Sequence, residues 1–345
     1  MNFASDNAYG AHPDVLRALA ECNGGAMMGY GADPVTARAE AAIRDALDAP
    51  EAAIRFVSTG TAANALVCAQ LCPVGGRIYC HEGAHIQTSE CGAPEFFSHG
   101  AKLVTLPGDC GRIDADRLEN ALRIGAGAGL NGGRNAMVSI TNATEWGTVY
   151  DADRIAALAD VAHRFKVPVH MDGARFANAV ASGSRSAADL TWRAGVDVLC
   201  FGGTKNGAMA AEAVVFFDPA LAEGFDYRRK QSGHVFSKQR FLAAQMLALI
   251  EDGLWLRLAA RANALAARLA QGVRDAGGGL LAPVQSNAVF ATIPAEAHER
   301  ARAAGAIYHL WPDRSAQGLD PVPVRFVTSW DTPEDDVDRL IGLLR

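Results

Sequence analysis

The sequence predicts an α/β fold with a large, mostly parallel sheet and a small C-terminal α+β domain. Three observations support this. The chain has 345 residues, half of them apolar, which is enough for two domains. β-rich runs alternate with helical runs over its first two thirds, as in parallel sheets covered by helices on both faces. The alternation then stops. We expect a large domain over 1–245 and a small domain over 246–345.

The elements of the large domain follow in chain order. Helical signals cover 13–22, 34–48, 62–72, 114–123 and 151–165, with prolines in the first turns of the first two. β-rich runs cover 53–58, 77–80, 102–106, 136–142, 167–172, 196–201 and 211–217. The glycine-rich stretch 123–135 is predicted to be a flexible surface loop.

The small domain follows an alanine-rich helical segment, 241–272, which is interrupted around 251–255. Strands are then predicted at 287–293, 306–311 and 323–328. A helix is predicted at 294–305, and a last helix begins at Pro333.

Composition excludes several classes of protein. The net charge of −6, with acids and bases interspersed, argues against a nucleic-acid partner. We see neither a run of about 18 apolar residues nor a secretion signal, so we expect no membrane partner and a cytoplasmic location. Seven cysteines without paired CxxC spacing indicate reduced thiols rather than disulfides, and no metal site is predicted.

Four predicted strands end in polar residues. Asp172 closes "VPVHMD" and Lys205 follows "VDVLCFGGT". "TGT", at 59–61, opens a helix whose free N–H groups could bind a phosphate. His85 and Glu90 follow a fourth strand. Because ligands bind at the carboxyl ends of parallel strands, we expect these groups to share one edge of the sheet.

Each of these residues also has an ordinary structural explanation. A lysine after a strand is usually at the surface, and an aspartate before a glycine often forms a turn. A threonine at a helix start is often only a cap. These explanations weaken when all four features fall on the same edge of the same sheet.

One cofactor accounts for the set. An aldehyde that forms a Schiff base needs a partly neutral lysine, and a poorly solvated site around Lys205 would lower its pKa. Pyridoxal 5'-phosphate supplies such an aldehyde, and its ring nitrogen needs a buried acid, for which Asp172 is the candidate. Gly60 and Thr61, with Thr204, are candidates for the phosphate, and His85 could stack on the ring.

The motifs "FASDN", "GTAAN", "AHIQTSECGAPE", "HMDGARFANA", "FGGTKNG" and "RFVTSWDT" together resemble the low-specificity L-threonine aldolases. These are fold-type I pyridoxal-phosphate enzymes, and the resemblance covers essentially the whole chain. It implies an aspartate-aminotransferase-like large domain with a seven-stranded sheet. It also implies cleavage of L-threonine, L-allo-threonine or a related β-hydroxy amino acid to glycine and an aldehyde, in a homotetramer built from dimers whose active sites lie at the subunit boundary.

The resemblance also implies residue roles. Lys205 would be the Schiff-base lysine, Asp172 would bind the pyridine nitrogen and His85 would stack on the ring. Roles in binding the substrate carboxylate or the phosphate fall to a larger set, namely Ser5, Arg175 and Arg325 for the carboxylate and Gly60, Thr61, Lys238 and Arg240 for the phosphate. The last two could come from a neighbouring subunit.

The chain departs from the family at one functional position. The family commonly carries a second active-site histidine before the strand at 136–142, and this chain has no histidine between His99 and His163. The base for the substrate hydroxyl therefore stays open between His85, a water held by it, and Glu90. The substrate stays open as well, and phenylserine is an alternative.

Other functions are kept as alternatives. An aminotransferase or β-eliminating lyase would share Lys205 and Asp172. A pyridoxal-phosphate-binding protein without turnover would share them too. A nucleotide-binding protein is disfavoured, because no GxGxxG follows the first strand and no GxxxxGK[ST] occurs.

Overall fold

The structure is a computed structural model that describes residues 1–183, 185–312 and 315–345. The helices are α1 Pro13–Glu21, α2 Pro34–Ala46, α3 Gly60–Leu71, α4 His85–Thr88, α5 Ala93–Phe97, α6 Ala115–Gly127, α7 Ala152–Arg164, α8 Phe176–Val180, α9 Phe225–Gln231, α10 Arg240–Ile250, α11 Leu254–Asp275, α12 Ala295–Ala303 and α13 Glu334–Leu344. The strands are β1 Ala53–Val57, β2 Gly76–His81, β3 Lys102–Leu106, β4 Arg134–Thr141, β5 Val169–Gly173, β6 Val198–Gly202, β7 Glu212–Phe216, β8 Gly279–Leu280, β9 Ala288–Ile293, β10 His309–Leu310 and β11 Val322–Val327.

The large sheet has seven strands in the order β1-β7-β6-β5-β4-β2-β3. Strand β7 pairs antiparallel with both neighbours, and the other pairs are parallel. The predicted mostly parallel, seven-stranded sheet is therefore confirmed. All seven β-rich runs of the large domain became strands, within a few residues of the predicted bounds.

Both faces of this sheet are buried, because successive side chains of each strand point to opposite sides. In β6, Leu199 and Phe201 pack with helices α1, α2, α6–α8 and α10. Val198 and Cys200 pack on the other face, against α3, α4 and α9. A strand with buried residues at every position reads as a continuous apolar run, which is why "VDVLCF" was recognisable in the sequence.

The second sheet is antiparallel, with strand order β10-β11-β9-β8, and it packs against α12, α13 and the second half of α11. This confirms the predicted small α+β domain. The first residues of the chain join it, since Phe3 lies in its core and Asn2 bridges to Ile307. The predicted boundary between 245 and 246 stays a prediction.

Two predictions of local structure were wrong. Helix α6 continues through the glycine-rich stretch to Gly127, and a 3₁₀ turn follows at Gly129–Asn131. Gly125 is buried there, and a Cβ would collide with Asn135 and the Tyr79 hydroxyl, so packing rather than flexibility explains this glycine. The strand predicted over 306–311 is only the two residues of β10.

Candidate active site

Lys205 lies in a 3₁₀ turn, Thr204–Asn206, directly after β6. The turn passes close to the core, and a Cβ on Gly203 would approach Met246 Sδ to 2.6 Å and the Ala211 carbonyl oxygen to 2.7 Å. Only glycine fits this position, which explains the "GGT" that precedes the lysine. The Lys205 side chain lines a cavity of about 660 Å³ at the carboxyl edge of the sheet.

The charge of the Lys205 amine is poorly supported. Burial and the nearby Arg175 guanidinium lower its pKa, against the carboxylates of Asp6, Asp172 and Glu212. Among the described residues no hydrogen bond or ion pair to this amine is seen. The amine is therefore closer to its neutral, nucleophilic form than an exposed lysine would be.

Asp172 lies near the end of β5, the strand beside β6, and its side chain is buried. Its Oδ1 accepts the Ala174 backbone N–H at 3.0 Å, and its Oδ2 accepts Asn64 Nδ2 at 2.9 Å. Burial opposes ionisation, but the Ala174 N–H and the charge of Lys205 outweigh it, so the pKa of Asp172 lies below its ordinary value. The site thus contains a buried, ionised carboxylate that could hold a cationic ring nitrogen.

His85 begins α4 and lines the same cavity. Its Nδ1 lies 2.7 Å from Glu90 Oε1, and its backbone N–H donates to Glu145 Oε1 at 2.7 Å. The hydrogen bond to Glu90 raises the pKa of His85, and burial raises the pKa of Glu90. Glu90 is buried behind the imidazole and does not line the cavity.

The start of α3 forms the predicted anion seat. Thr59 caps the helix by accepting the Ala62 N–H at 3.2 Å. Gly60 and Thr61 line the cavity, and a Cβ on Gly60 would meet no atom within 4 Å, so the space beside the first turn is open. Thr204 lines the cavity as well. Free helix N–H groups in an open concavity are suited to a phosphate.

The residues predicted for the substrate carboxylate cluster around the N-terminal segment. Arg175 lines the cavity and is held by Asp6 through Nε–Oδ2 and Nη2–Oδ1 distances of 2.6 and 2.9 Å. Arg325, on β11, donates to the Ala4 carbonyl at 3.1 Å, while its Nε is buried without a partner. Ser5 caps a 3₁₀ turn by accepting the Asn7 N–H. Neither Arg325 nor Ser5 lines the cavity.

Lys238 and Arg240 lie outside the cavity lining of their own chain. Lys238 is exposed, and the Nε of Arg240 is buried without a partner. The structure thus brings together at one cavity Gly60, Thr61, His85, Asp172, Arg175, Thr204 and Lys205. Of the predicted site residues, Ser5, Glu90, Lys238, Arg240 and Arg325 lie apart from its lining.

Three residues of this site were not assigned a role from the sequence. Asn64 donates to Asp172 Oδ2 at 2.9 Å and to Glu90 Oε1 at 2.8 Å. Glu145 accepts from the Thr141 hydroxyl at 2.8 Å as well as from the His85 N–H. Glu212 starts β7 opposite Gly202, and burial raises its pKa to about 7. A signal existed for Asn64, since it follows Gly60 by one helical turn and so shares its face.

Comparison with known proteins decides the family. The family model described as beta-eliminating lyase matches residues 2–296. The chain belongs to the beta-eliminating lyase family. It is similar to the low specificity L-threonine aldolases of Pseudomonas aeruginosa and of a further Pseudomonas species. Each is 42% identical over 345 aligned residues, which cover 99% of this chain and 96% of the relative. The resemblance inferred from the motifs is therefore confirmed.

Solved structures agree with membership of the beta-eliminating lyase family. The chain is similar to a threonine aldolase of Leishmania major, with a TM-score of 0.92 and 28% identity, covering 99% of this chain and 98% of that one. A Sphingomonas wittichii serine palmitoyltransferase is 16% identical with a TM-score of 0.73, over 100% of this chain and 86% of the other. That second likeness shows the fold alone.

Proposed function

We propose that this chain is a pyridoxal-phosphate-dependent aldolase that cleaves L-β-hydroxy-α-amino acids to glycine and an aldehyde. L-Threonine and L-allo-threonine are the first candidate substrates, and phenylserine is a bulkier one. The observation that carries the proposal is that the Lys205 amine and the Asp172 carboxylate line one cavity at the ends of adjacent strands. The two Pseudomonas relatives, each named a low specificity L-threonine aldolase, support the same activity.

The residues present fit the cofactor. Lys205 offers an amine with a lowered pKa, and Asp172 offers a buried anion for the ring nitrogen. The open first turn of α3, at Gly60 and Thr61, offers N–H groups to a phosphate. When bound, pyridoxal phosphate supplies the aldehyde that reacts with amines and a protonated ring that accepts the electron pair left on Cα.

The substrate carboxylate would bind between Arg175 and Arg325. These two guanidiniums face one carboxylate, Asp6, and the charge of Arg175 contributes to lowering the pKa of Arg325. A second carboxylate would balance this excess positive charge. It would also give the unpaired Nε of Arg325 an acceptor.

The hydroxyl proton of the substrate is assigned to His85 or to a water held by it. With Glu90 ionised, Nδ1–H donates to Glu90, which leaves Nε2 free to accept a proton. Glu90 lies behind the ring, so we assign it a positioning role instead of direct contact with the substrate. Loss of that proton allows the Cα–Cβ bond to break into an aldehyde, and Cα then takes a proton to give glycine.

We further propose a homotetramer, a dimer of dimers, in the cytoplasm. Support for assembly comes from Lys238 and Arg240, basic side chains near the sheet edge that do not reach their own cavity. All seven cysteines are free thiols, as expected in a reducing compartment. In the part of the chain that the structure describes, no helix is long and apolar enough to cross a membrane.

Product analysis tests the activity. The purified protein, loaded with pyridoxal phosphate, is incubated with L-threonine, L-allo-threonine, L-serine or either phenylserine diastereomer. The proposal predicts equal amounts of glycine and the matching aldehyde from at least one of the β-branched substrates. Ammonia and a keto acid would instead indicate elimination or transamination. No turnover with any of them, despite a bound chromophore, would favour a binding protein.

A further inference from the structure

The amide of Asn64 lies between two buried carboxylates. Its Nδ2 donates to Asp172 Oδ2 at 2.9 Å and to Glu90 Oε1 at 2.8 Å, so one NH₂ group serves both acids. All three side chains are buried. A ligand atom of each acid and one His85 ring nitrogen lie within 4.8 Å of one another.

Two like charges this close repel each other. Asp172 contributes to raising the pKa of Glu90, while the Asn64 hydrogen bond lowers it. A neutral donor between the acids stabilises both anions at once, whereas water is excluded from the site. Without it, one of the two acids would take up a proton.

The two acids serve different parts of the site. Asp172 faces the cavity, whereas Glu90 contacts the imidazole of His85 from behind. We propose that Asn64 is a positioning residue, whose amide keeps Asp172 available for the cofactor ring and Glu90 available for His85. This inference rests on the proposed function for its meaning, but it concerns contacts that exist without cofactor.

Several charged groups act on His85 and define what the test must resolve. The hydrogen bond to Glu90 raises its pKa, burial lowers it, the charges of Asp172 and Glu90 raise it and Lys205 lowers it. Glu145 accepts the His85 backbone N–H. Removing Asn64 weakens the Glu90 anion, so His85 loses part of the counter-charge that holds its proton.

The test measures how readily His85 reacts with diethyl pyrocarbonate, which modifies neutral imidazole. The full chain is stripped of cofactor, treated at a series of pH values and mapped by peptide mass spectrometry. We expect the midpoint for His85 to fall by roughly half a pH unit or more in Asn64→Ala and Asn64→Ser. Glu90→Gln should shift it in the same direction. Affinity of the Asn64 variants for pyridoxal phosphate should fall roughly tenfold.

Asn135→Ala is the matched control. Asn135 also makes two side-chain hydrogen bonds, to the Tyr79 hydroxyl and the Leu122 carbonyl, but lies outside the cavity. It should leave both measurements unchanged. The inference is overturned if both Asn64 variants keep the wild-type midpoint while Glu90→Gln lowers it, or if Asn135→Ala gives the same shifts. Because the labelling needs neither cofactor nor turnover, its result is independent of whether the proposed aldolase activity is found.

Discussion

Arg175 and Asp6 form a two-pronged ion pair at the edge of the active-site cavity, with N–O distances of 2.6 and 2.9 Å. Asp6 Oδ2 also accepts Asn287 Nδ2 at 3.0 Å, so the pair ties the N-terminal segment to both domains. Asp6 is buried, and Arg175 is 21% exposed. The geometry fixes the guanidinium that we expect to bind the substrate carboxylate.

Asp6→Asn should lower the free energy of unfolding at pH 7 by about 3 kcal/mol, because it leaves the guanidinium without a counter-charge. Burial opposes ionisation of Asp6, but Arg175 and Lys205 outweigh it, and the pKa of Asp6 lies below 3.8. This stability is therefore present above pH 3.8 and is lost as the pH falls through the folded-state value. Urea unfolding at several pH values measures it.

Asp14→Asn provides the comparison, since Asp14 pairs with Arg17 at an exposed site and should change stability by less than about 1 kcal/mol. Equal stability of wild type and Asp6→Asn at pH 7 would show that the ion pair adds nothing.

Arg325→Ala should raise KM for the amino acid by roughly 10- to 100-fold while cofactor occupancy is unchanged, because a charge-assisted contact to the carboxylate is lost. Steady-state kinetics with saturating cofactor give the value. Arg300→Ala, an exposed change in the same domain, should leave KM as it is. An unaltered KM in Arg325→Ala would remove Arg325 from the substrate site.

Asp172→Ala should weaken cofactor binding and reduce turnover by roughly 10³-fold or more, because no buried anion would remain for the ring nitrogen. Dialysis against pyridoxal phosphate and single-turnover assays separate the two effects. Asp218→Ala changes an exposed helix cap and should behave like wild type in both. Near-normal turnover in Asp172→Ala would contradict the assigned role.

Glu212→Gln should stabilise the cofactor-free protein, and more so at higher pH. Burial raises the pKa of Glu212 from 4.5 to about 7, a rise that corresponds to about 3 kcal/mol. A raised folded-state value means that the carboxyl costs stability once it must ionise. The gain should therefore be about 1 kcal/mol at pH 5.5 and about 3 kcal/mol at pH 8.5. Unfolding curves at these two pH values would contradict the prediction if the gain stayed constant.

The sequence predicted the sheet and two of its functional ends because those signals are local. "VDVLCF" before Lys205 and "VPVH" before Asp172 are continuous apolar runs, and strands buried on both faces produce such runs. The glycines after them could be read as turns. Once the strands are parallel, their ends must share an edge, so Lys205 and Asp172 fall together without any knowledge of packing.

The contacts missed from the sequence are long-range. Asn64 meets Glu90 and Asp172 across 26 and 108 residues, and Arg175 meets Asp6 across 169. No local pattern encodes such pairs. The glycines near 125 misled for a related reason. They were interpreted as flexibility, whereas Gly125 is a glycine because Asn135 and Tyr79 occupy the space of a side chain.

Borohydride reduction tests the link between Lys205 and the cofactor most directly. The purified protein should be yellow, and reduction followed by peptide mapping should place the pyridoxyl group on Lys205. The Lys205→Arg variant should carry no such adduct. Recovery of the adduct on another lysine of the wild-type protein, or a colourless protein that takes up no pyridoxal phosphate, would contradict the central claim.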